Sequence, residues 1–358
     1  MLSLLLMSLL AMGLIGSTAQ AQLTADGGRV RSDDAASRIE FGSYNEDQPA
    51  ASYDPGAEPV IQEIHEPFIG GGYGTGQCCG DCPPAWRVRA EGLLLNYEGG
   101  SGVTLSNGFA LDDFGYEQGG RISVVRHLDC LDAWELSYTG PFEWTEFGQI
   151  NGVGLQSRLN STTVNLSEFD NATFHSQGYR TRLNSVELNR RWYGWDVIST
   201  FAGARYINID EDYLFNSTGA AGAGVLSIQT DNQMAGAQIG TELMYPLGNW
   251  MSTMSLKGAL MVNCAEGNLR LVNAGVVEVA NSDDRLRLVP LVELGYYFSY
   301  QITPRVKFRG GYEFWWLCGF ADVPGQLTNP ITAQTGARLN AGSDVFYHGA
   351  SAGIEVVW

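Results

Sequence analysis

From residue 85 to its end, the chain repeatedly alternates apolar and polar residues with a period of two. Between Val306 and Phe314, for example, apolar residues and one glycine fill every second position, while charged residues and a second glycine lie between them. This period is typical of β-strands that have one apolar and one polar face. About ten such segments are present. They cover approximately residues 85–97, 119–128, 132–142, 181–192, 197–209, 233–245, 250–264, 285–299, 304–317 and 344–358.

The connections between these segments alternate in length. Short connections follow the second, fourth, sixth and eighth segments, and every other connection is long. A β-sandwich has no reason to place all its long connections at one end, whereas an outer-membrane barrel has short periplasmic turns and long external loops. The sequence therefore predicts an all-β fold, a transmembrane antiparallel up-and-down β-barrel of about ten strands, within a range of about 8–12. The long connections lie near residues 98–118, 143–180, 210–232, 265–284 and 318–343.

Aromatic residues gather beside the short connections. Trp86, Trp134 and Trp250 lie at segment ends there, and the chain stops on Trp358 inside the last segment. Amphipathic rings favour a membrane interface, so this placement predicts an aromatic girdle. A terminal aromatic of this kind resembles the signal read by the outer-membrane assembly machinery. We therefore expect outer-membrane lipid and that machinery as partners, with a homo-oligomer as a further option.

The amino terminus has the pattern of an export signal. Leu2–Ile15 is almost entirely apolar, and Ala19-Gln20-Ala21 fits the small-x-small rule of signal peptidase. The apolar run is shorter than the ~20 residues that a spanning helix needs. We expect a signal peptide over residues 1–21, a disordered acidic linker with a Cys-rich end over 22–84, and the barrel over 85–358.

The overall charge argues against one class of partner. Lysine and arginine total 21 against 39 aspartates and glutamates, which gives a net charge of −18. A nucleic-acid binder needs a basic surface, so nucleic acid is excluded as a partner. Nothing in the sequence indicates a cofactor.

Two neighbouring segments resemble a family signature. Residues 184–189 read Asn-Ser-Val-Glu-Leu-Asn, and residues 202–211 read Ala-Gly-Ala-Arg-Tyr-Ile-Asn-Ile-Asp-Glu. This pairing resembles a family of pore-forming outer-membrane proteins first described in Legionella and widespread in planctomycetes. The Cys-rich stretch before the barrel looks like the planctomycete branch, although residues 90–97 lack the paired Trp expected there. The resemblance implies a pore or surface protein without known catalytic residues.

Alternation also sorts residues into a polar set that faces the lumen. Glu187 and Arg205 fall at similar depth on adjacent strands, so we expect them to pair, either as a structural ion pair or as a selectivity filter. A barrel of about ten strands is close to the size that side chains fill. The expected function is thus a narrow pore for ions or small solutes. The alternatives are a non-conducting structural or adhesive surface barrel that acts through residues 143–180 and 318–343, and a soluble periplasmic β-sandwich. The candidate lumen residues are Glu187, Arg205, Gln238, Glu242, Glu293, Lys307, Arg309 and Glu313.

The even number of cysteines suits an exported protein. Three lie just before the barrel, one lies in the first short connection, and two end strands at the opposite side. We expect a disulfide between the one in the short connection and one of the first three. A bond between the last two would span an intervening strand, and zinc binding by the first three is a weak alternative because only one C-x-x-C pair is present. No metal site is predicted. The six, in chain order, are Cys78, Cys79, Cys82, Cys130, Cys264 and Cys318.

Catalytic groups are not evident. Among the histidines only His348 lies near the external end of a strand, and Asp344 on the same strand face is about 13 Å away. That separation is too large for a catalytic dyad, so we expect no enzymatic activity.

Overall fold

The computed structural model describes residues 84–99, 103–195, 197–220 and 222–358. The expected signal peptide and all of the expected linker except Pro84 lie outside the described residues.

The described chain forms a closed barrel of ten antiparallel strands in sequence order, with β1 pairing to β10. One short helix, α1 (Val323–Gln326), lies between β9 and β10. No helix in the described part of the chain is long and apolar enough to cross a membrane. The strands are β1 Trp86–Glu98, β2 Tyr116–His127, β3 Asp132–Leu155, β4 Ala172–Trp195, β5 Ile198–Thr218, β6 Ala223–Leu247, β7 Trp250–Asn273, β8 Val276–Thr303, β9 Val306–Phe320 and β10 Ser343–Val357.

Near the four short turns, the outside of the barrel is an apolar belt. Ile122, Ile239 and Leu288 point outward there and are 55 %, 69 % and 61 % exposed. An exposed apolar belt around a closed sheet is the surface that lipid covers. Lipid cannot hydrogen-bond to backbone groups, and a closed barrel pairs these groups between its own strands. Tryptophans at the short-turn end also point outward, as the aromatic girdle requires. The fold is therefore a transmembrane antiparallel β-barrel, as the sequence predicted.

Three of the five long connections are mostly strand, which corrects the predicted boundaries. Six strands, β3 to β8, have 21–28 residues, about twice the ~9–11 that cross a membrane. The loops that join them cover only residues 156–171, 219–222 and 274–275. The connections at 99–115 and 321–342 are long, as expected. One side of the barrel thus extends well beyond the belt as a wall of paired strands.

The missed strand extensions have a clear cause in β5. Up to Tyr206 the outward residues are apolar or small, and the inward Arg205 is polar. Beyond this point the pattern reverses, so that Ile207 and Ile209 point inward while Asp210 points outward. The outer face there meets water, and the inner face packs against loops. Because polar and apolar positions change places here, the sequence pattern of the strand is interrupted, and the pattern predicts that the strand ends nearby.

Candidate functional site in the barrel interior

The short-turn half of the lumen is a charged layer. The eight residues selected from the sequence all lie on the inner face, and most are almost fully buried. They come from β4, β5, β6, β8 and β9, whose alternation directs every second side chain inward. Their exposed fractions are lowest for Glu187, Arg205, Gln238 and Glu313, at 2–3 %.

The expected Glu187–Arg205 pair is part of a larger group. The two residues are direct cross-strand partners, with Arg205 Nη1 3.5 Å from Glu187 Oε1. Arg205 lies closer to Glu293, at 2.5 Å, and Lys257 Nζ contacts Glu187 at 3.0 Å and Glu293 at 3.2 Å. Gln238 donates a further hydrogen bond to Glu187. Two cations and two carboxylates therefore neutralise each other at the centre of the barrel.

Three further groups complete the charged layer. Each group joins side chains from three strands, and all three groups lie in the same half of the lumen. Arg121 contacts Glu313 at 2.7 Å, and Arg191 contacts Glu242 at 2.8 Å and also Glu135. The remaining pairs are Arg121–Glu91, Arg309–Glu91, Arg89–Glu355 and Lys307–Glu355, at 3.0–3.8 Å.

Among the described residues, these pairs join seven cations to seven carboxylates. A buried charge is costly unless it is paired, so the balance keeps the layer stable inside the barrel. Seven members were not selected from the sequence, although the same alternation marks their inward positions. They are Arg89, Glu91, Arg121, Glu135, Arg191, Lys257 and Glu355.

A small cavity remains within this layer. Its volume is about 30 Å³, and its lining includes Arg121, Glu187, Arg191 and Lys257. That volume suits one or two water molecules held by polar groups.

The other half of the interior is an apolar plug. Large side chains such as Trp144, Tyr213, Phe215 and Trp315 are at most 2 % exposed and pack across the lumen. Residues from the 99–115, 156–171 and 321–342 loops join the same cluster. The half of the lumen on the side of the long connections is consequently filled by side chains and loops.

Polar side chains of the barrel wall, one of them fully buried, fasten the 321–342 loop into the barrel. Asn232 donates to the Ala321 carbonyl at 2.7 Å and accepts from the Ala321 N–H at 2.8 Å. Asp283 accepts from the Leu339 N–H at 2.8 Å, and Arg287 donates to the Ala341 carbonyl. The loop, which we call the lid (residues 321–342), is thus held at both of its ends.

Glu211 binds the lid close to its first residue, through the backbone of Val323. Its carboxylate accepts hydrogen bonds from the Val323 N–H at 2.8 Å, from Tyr179 Oη at 2.8 Å and from Tyr97 Oη at 3.1 Å. Glu211 lies beyond the apolar belt, where the outward neighbour is Asp210. Burial away from water raises the pKa of Glu211 to about 7, and the negative charge of Asp322 adds to the rise. The hydrogen bond from the Val323 N–H acts in the opposite direction and lowers this pKa. Burial also raises the pKa of Asp322 in the lid.

The Cys264–Cys318 disulfide, which the sequence left as a possibility, is not formed. Cys264 is on β7 and Cys318 on β9, and β8 separates the two strands. Two strand spacings amount to roughly 10 Å, beyond the ~7 Å limit between bridged Cα atoms. Cys130 lies in the β2–β3 turn as expected, whereas Cys78, Cys79 and Cys82 are outside the described residues, so the bond predicted between these sets stays a prediction.

Sequence and structure comparisons leave the family open. No family model matches the chain, and no curated protein matches it. The fold resembles the outer membrane protease OmpT from Escherichia coli at 10 % identity and a TM-score of 0.42, over 77 % of this chain and 97 % of that one. It also resembles Neisserial surface protein A at 11 % identity and a TM-score of 0.29, over 78 % of this chain and 100 % of that one. A Pseudomonas aeruginosa FadL homologue is similar at 10 % identity and a TM-score of 0.28, over 76 % of this chain and 89 % of that one. These TM-scores are too low to carry a functional argument, and the pore family suggested by residues 184–211 stays a prediction.

Proposed function

We propose that this protein is an outer-membrane surface barrel that does not conduct in its closed form and acts through its external end. The observation that supports this most is the apolar plug, which combines wall side chains with three loops. Ten strands leave little interior space, and here large aromatic residues occupy it.

The orientation follows from the loop lengths. Outer-membrane barrels place short turns in the periplasm and long connections outside. The belt would then lie in the membrane, and the extended parts of β3 to β8 would form a wall on the cell exterior. In β5 the wall covers Ile207–Thr218, about 12 residues, or roughly 40 Å along the strand.

A narrow pore is the second candidate, and the charged layer favours it. The layer is polar and contains a cavity that suits one or two water molecules, so it is the part of the lumen best suited to hold water. Because the layer is charge-balanced, the Glu187–Arg205 pair would impose little net selectivity. Conduction would require the lid to leave the external half.

Single-channel recording in a planar bilayer tests the proposal. The full chain and a variant whose lid residues 323–340 are replaced by a short Gly-Ser linker would be compared, with insertion checked by protease protection. We expect no steps from the wild type. Steps of uniform size from the inserted wild type would overturn the closed-barrel proposal in favour of the narrow pore. Steps from the shortened variant alone would identify the lid as the barrier.

A further inference from the structure

A polar cluster lies on the outside of the barrel, at the edge of the apolar belt. His348 on β10 points outward, with its Nε2 3.1 Å from Glu98 Oε1 and its Nδ1 2.5 Å from Tyr312 Oη. The three residues come from β10, β1 and β9, which are adjacent in the sheet. Ionisable groups on a lipid-facing surface are costly and usually serve a function.

The hydrogen bonds fix the proton on the imidazole. The Asn96 amide is best oriented with its nitrogen donating to the carbonyls of Phe114 and Gly115, at 3.1 and 3.0 Å. Its oxygen then faces His348 Nε2, beside the Glu98 carboxylate. Two acceptors on that side place the proton on Nε2, so Nδ1 accepts from Tyr312. Glu98 supplies the carboxylate of this cluster.

Aromatic rings pack around His348, beside the Glu98 carboxylate. His348 stacks near Tyr312 and lies 5.6 Å from Phe346 and 5.8 Å from Tyr116, between ring centroids. The cross-strand partner of Glu98 on β10 is Phe346, and that of Phe346 on β9 is Trp316. No lysine or arginine occupies these paired positions. A carboxylate among aromatic faces is a site that attracts an ammonium group.

Below the cluster, small residues form a depression in the belt. Gly120, Gly92, Ala352 and Gly310 are direct partners on β2, β1, β10 and β9, and all four point outward. A Cβ atom added at Gly92, Gly120 or Gly310 would meet nothing nearer than 3.6 Å. The depression spans three strand spacings, roughly 14 Å. Since it lies in the belt, an acyl chain is the natural occupant.

We propose that Glu98, His348 and the depression below them bind one glycerophospholipid with an ethanolamine-type ammonium headgroup. Glu98 receives the ammonium group, and His348, held by Tyr312, orients the Glu98 carboxylate. The acyl chain lies against Gly92 and Ala352. This site is independent of the lid and of conduction.

Native mass spectrometry of the full chain tests the site. The probes are phosphatidylethanolamine and phosphatidylglycerol with identical acyl chains. We expect the wild type to retain phosphatidylethanolamine preferentially, and Glu98→Gln to reduce that retention about three- to tenfold. Glu98 is exposed, so this substitution leaves the fold intact. Glu266→Gln, an exposed outward carboxylate on β7, is the matched control and should change nothing.

Filling the depression provides the second arm. Ala352→Leu should lower the retention of both lipids, because it removes the space for the chain and not the charge. Equal retention of the two lipids by the wild type, or an unchanged preference in Glu98→Gln, would overturn the proposal. A dimer that Ala352→Leu disrupts, without any lipid preference, would also overturn it and assign the depression to a second copy of the chain.

Discussion

The carboxylate of Glu211 on β5 accepts a hydrogen bond from the backbone N–H of Val323 at 2.8 Å, which ties the lid to the inner wall of the barrel. Two tyrosine hydroxyls share the same carboxylate. One acidic side chain outside the apolar belt thus joins the lid to hydroxyl groups from two wall strands, β1 and β4.

Glu211→Ala should loosen the lid. The methyl side chain removes both acceptor oxygens, which leaves the Val323 N–H and the Tyr179 and Tyr97 hydroxyls without this partner. The expected cost is about 1–3 kcal/mol of stability. Chemical unfolding of the detergent-refolded protein measures it. Asp210→Ala, the outward neighbour, is the control and should cost little, because its side chain lies on the outer surface between cross-strand partners of opposite sign, Arg182 and Asp231. Equal losses in both variants would contradict the role given to Glu211.

Lid docking should also weaken as the pH rises. The pKa of Glu211 in the folded state is about 7, above its usual 4.5, so the folded state holds a proton that the undocked state releases. The resulting stabilisation is complete below about pH 4.5 and is lost as the pH rises to about 7. Asp322, whose pKa is also raised, acts in the same direction.

Hydrogen exchange of the backbone amides of Val323, Gly325 and Gln326 measures this effect, after correction for the intrinsic exchange rate at each pH. Protection should be lower at pH 8 than at pH 5. In Glu211→Gln the difference should shrink to the part that Asp322 contributes. Protection that rises with pH would contradict the assignment.

The charged layer should tolerate substitution poorly. Glu187→Gln removes a carboxylate that both Lys257 and Arg205 contact, and breaking a buried pair costs about 3–5 kcal/mol. Lys257→Met in the same chain should recover part of the loss, because the group then again contains one cation and one carboxylate, Arg205 and Glu293. Asp132→Asn, which breaks the exposed pair with Arg190, should have little effect in the same unfolding assay. A similar small effect at Glu187 would show that water reaches the layer.

The sequence predicted the part of each strand that has lipid on its outer side and a polar lumen on its inner side. Within the belt, lipid outside and a polar lumen inside keep the period of two intact, so Glu187 and Arg205 were placed on the inner face. Beyond Tyr206 the outside is water and the inside is a packed loop, which reverses the pattern. The strands continue there, but the alternation that marks them does not.

The contacts made by loops could not be predicted in the same way. Val323 reaches Glu211 because the lid folds back into the barrel, and no period in the sequence encodes that path. Similarly, His348 meets Glu98 and not the nearby Asp344, because the closing β1–β10 pair joins the two ends of the fold. Alternation assigns a side chain to a face, whereas the partner on that face depends on strand register and closure.

Trp358 should matter for assembly more than for stability. Its backbone pairs with Trp86 at the barrel closure, through N–H···O hydrogen bonds of 3.0 and 3.1 Å, but its side chain is 55 % exposed on the outer surface. If the assembly machinery reads the terminal ring, Trp358→Ala should reduce the folded barrel recovered from cell envelopes while leaving refolding in detergent unchanged. Trp250→Ala removes another exposed ring at the same end, 49 % exposed, and serves as the control. Folded barrel in envelopes is measured by its heat-dependent shift in gel mobility. Equal losses in both variants, in envelopes and in detergent alike, would mean that Trp358 acts only as a girdle residue whose ring stabilises the barrel at the interface.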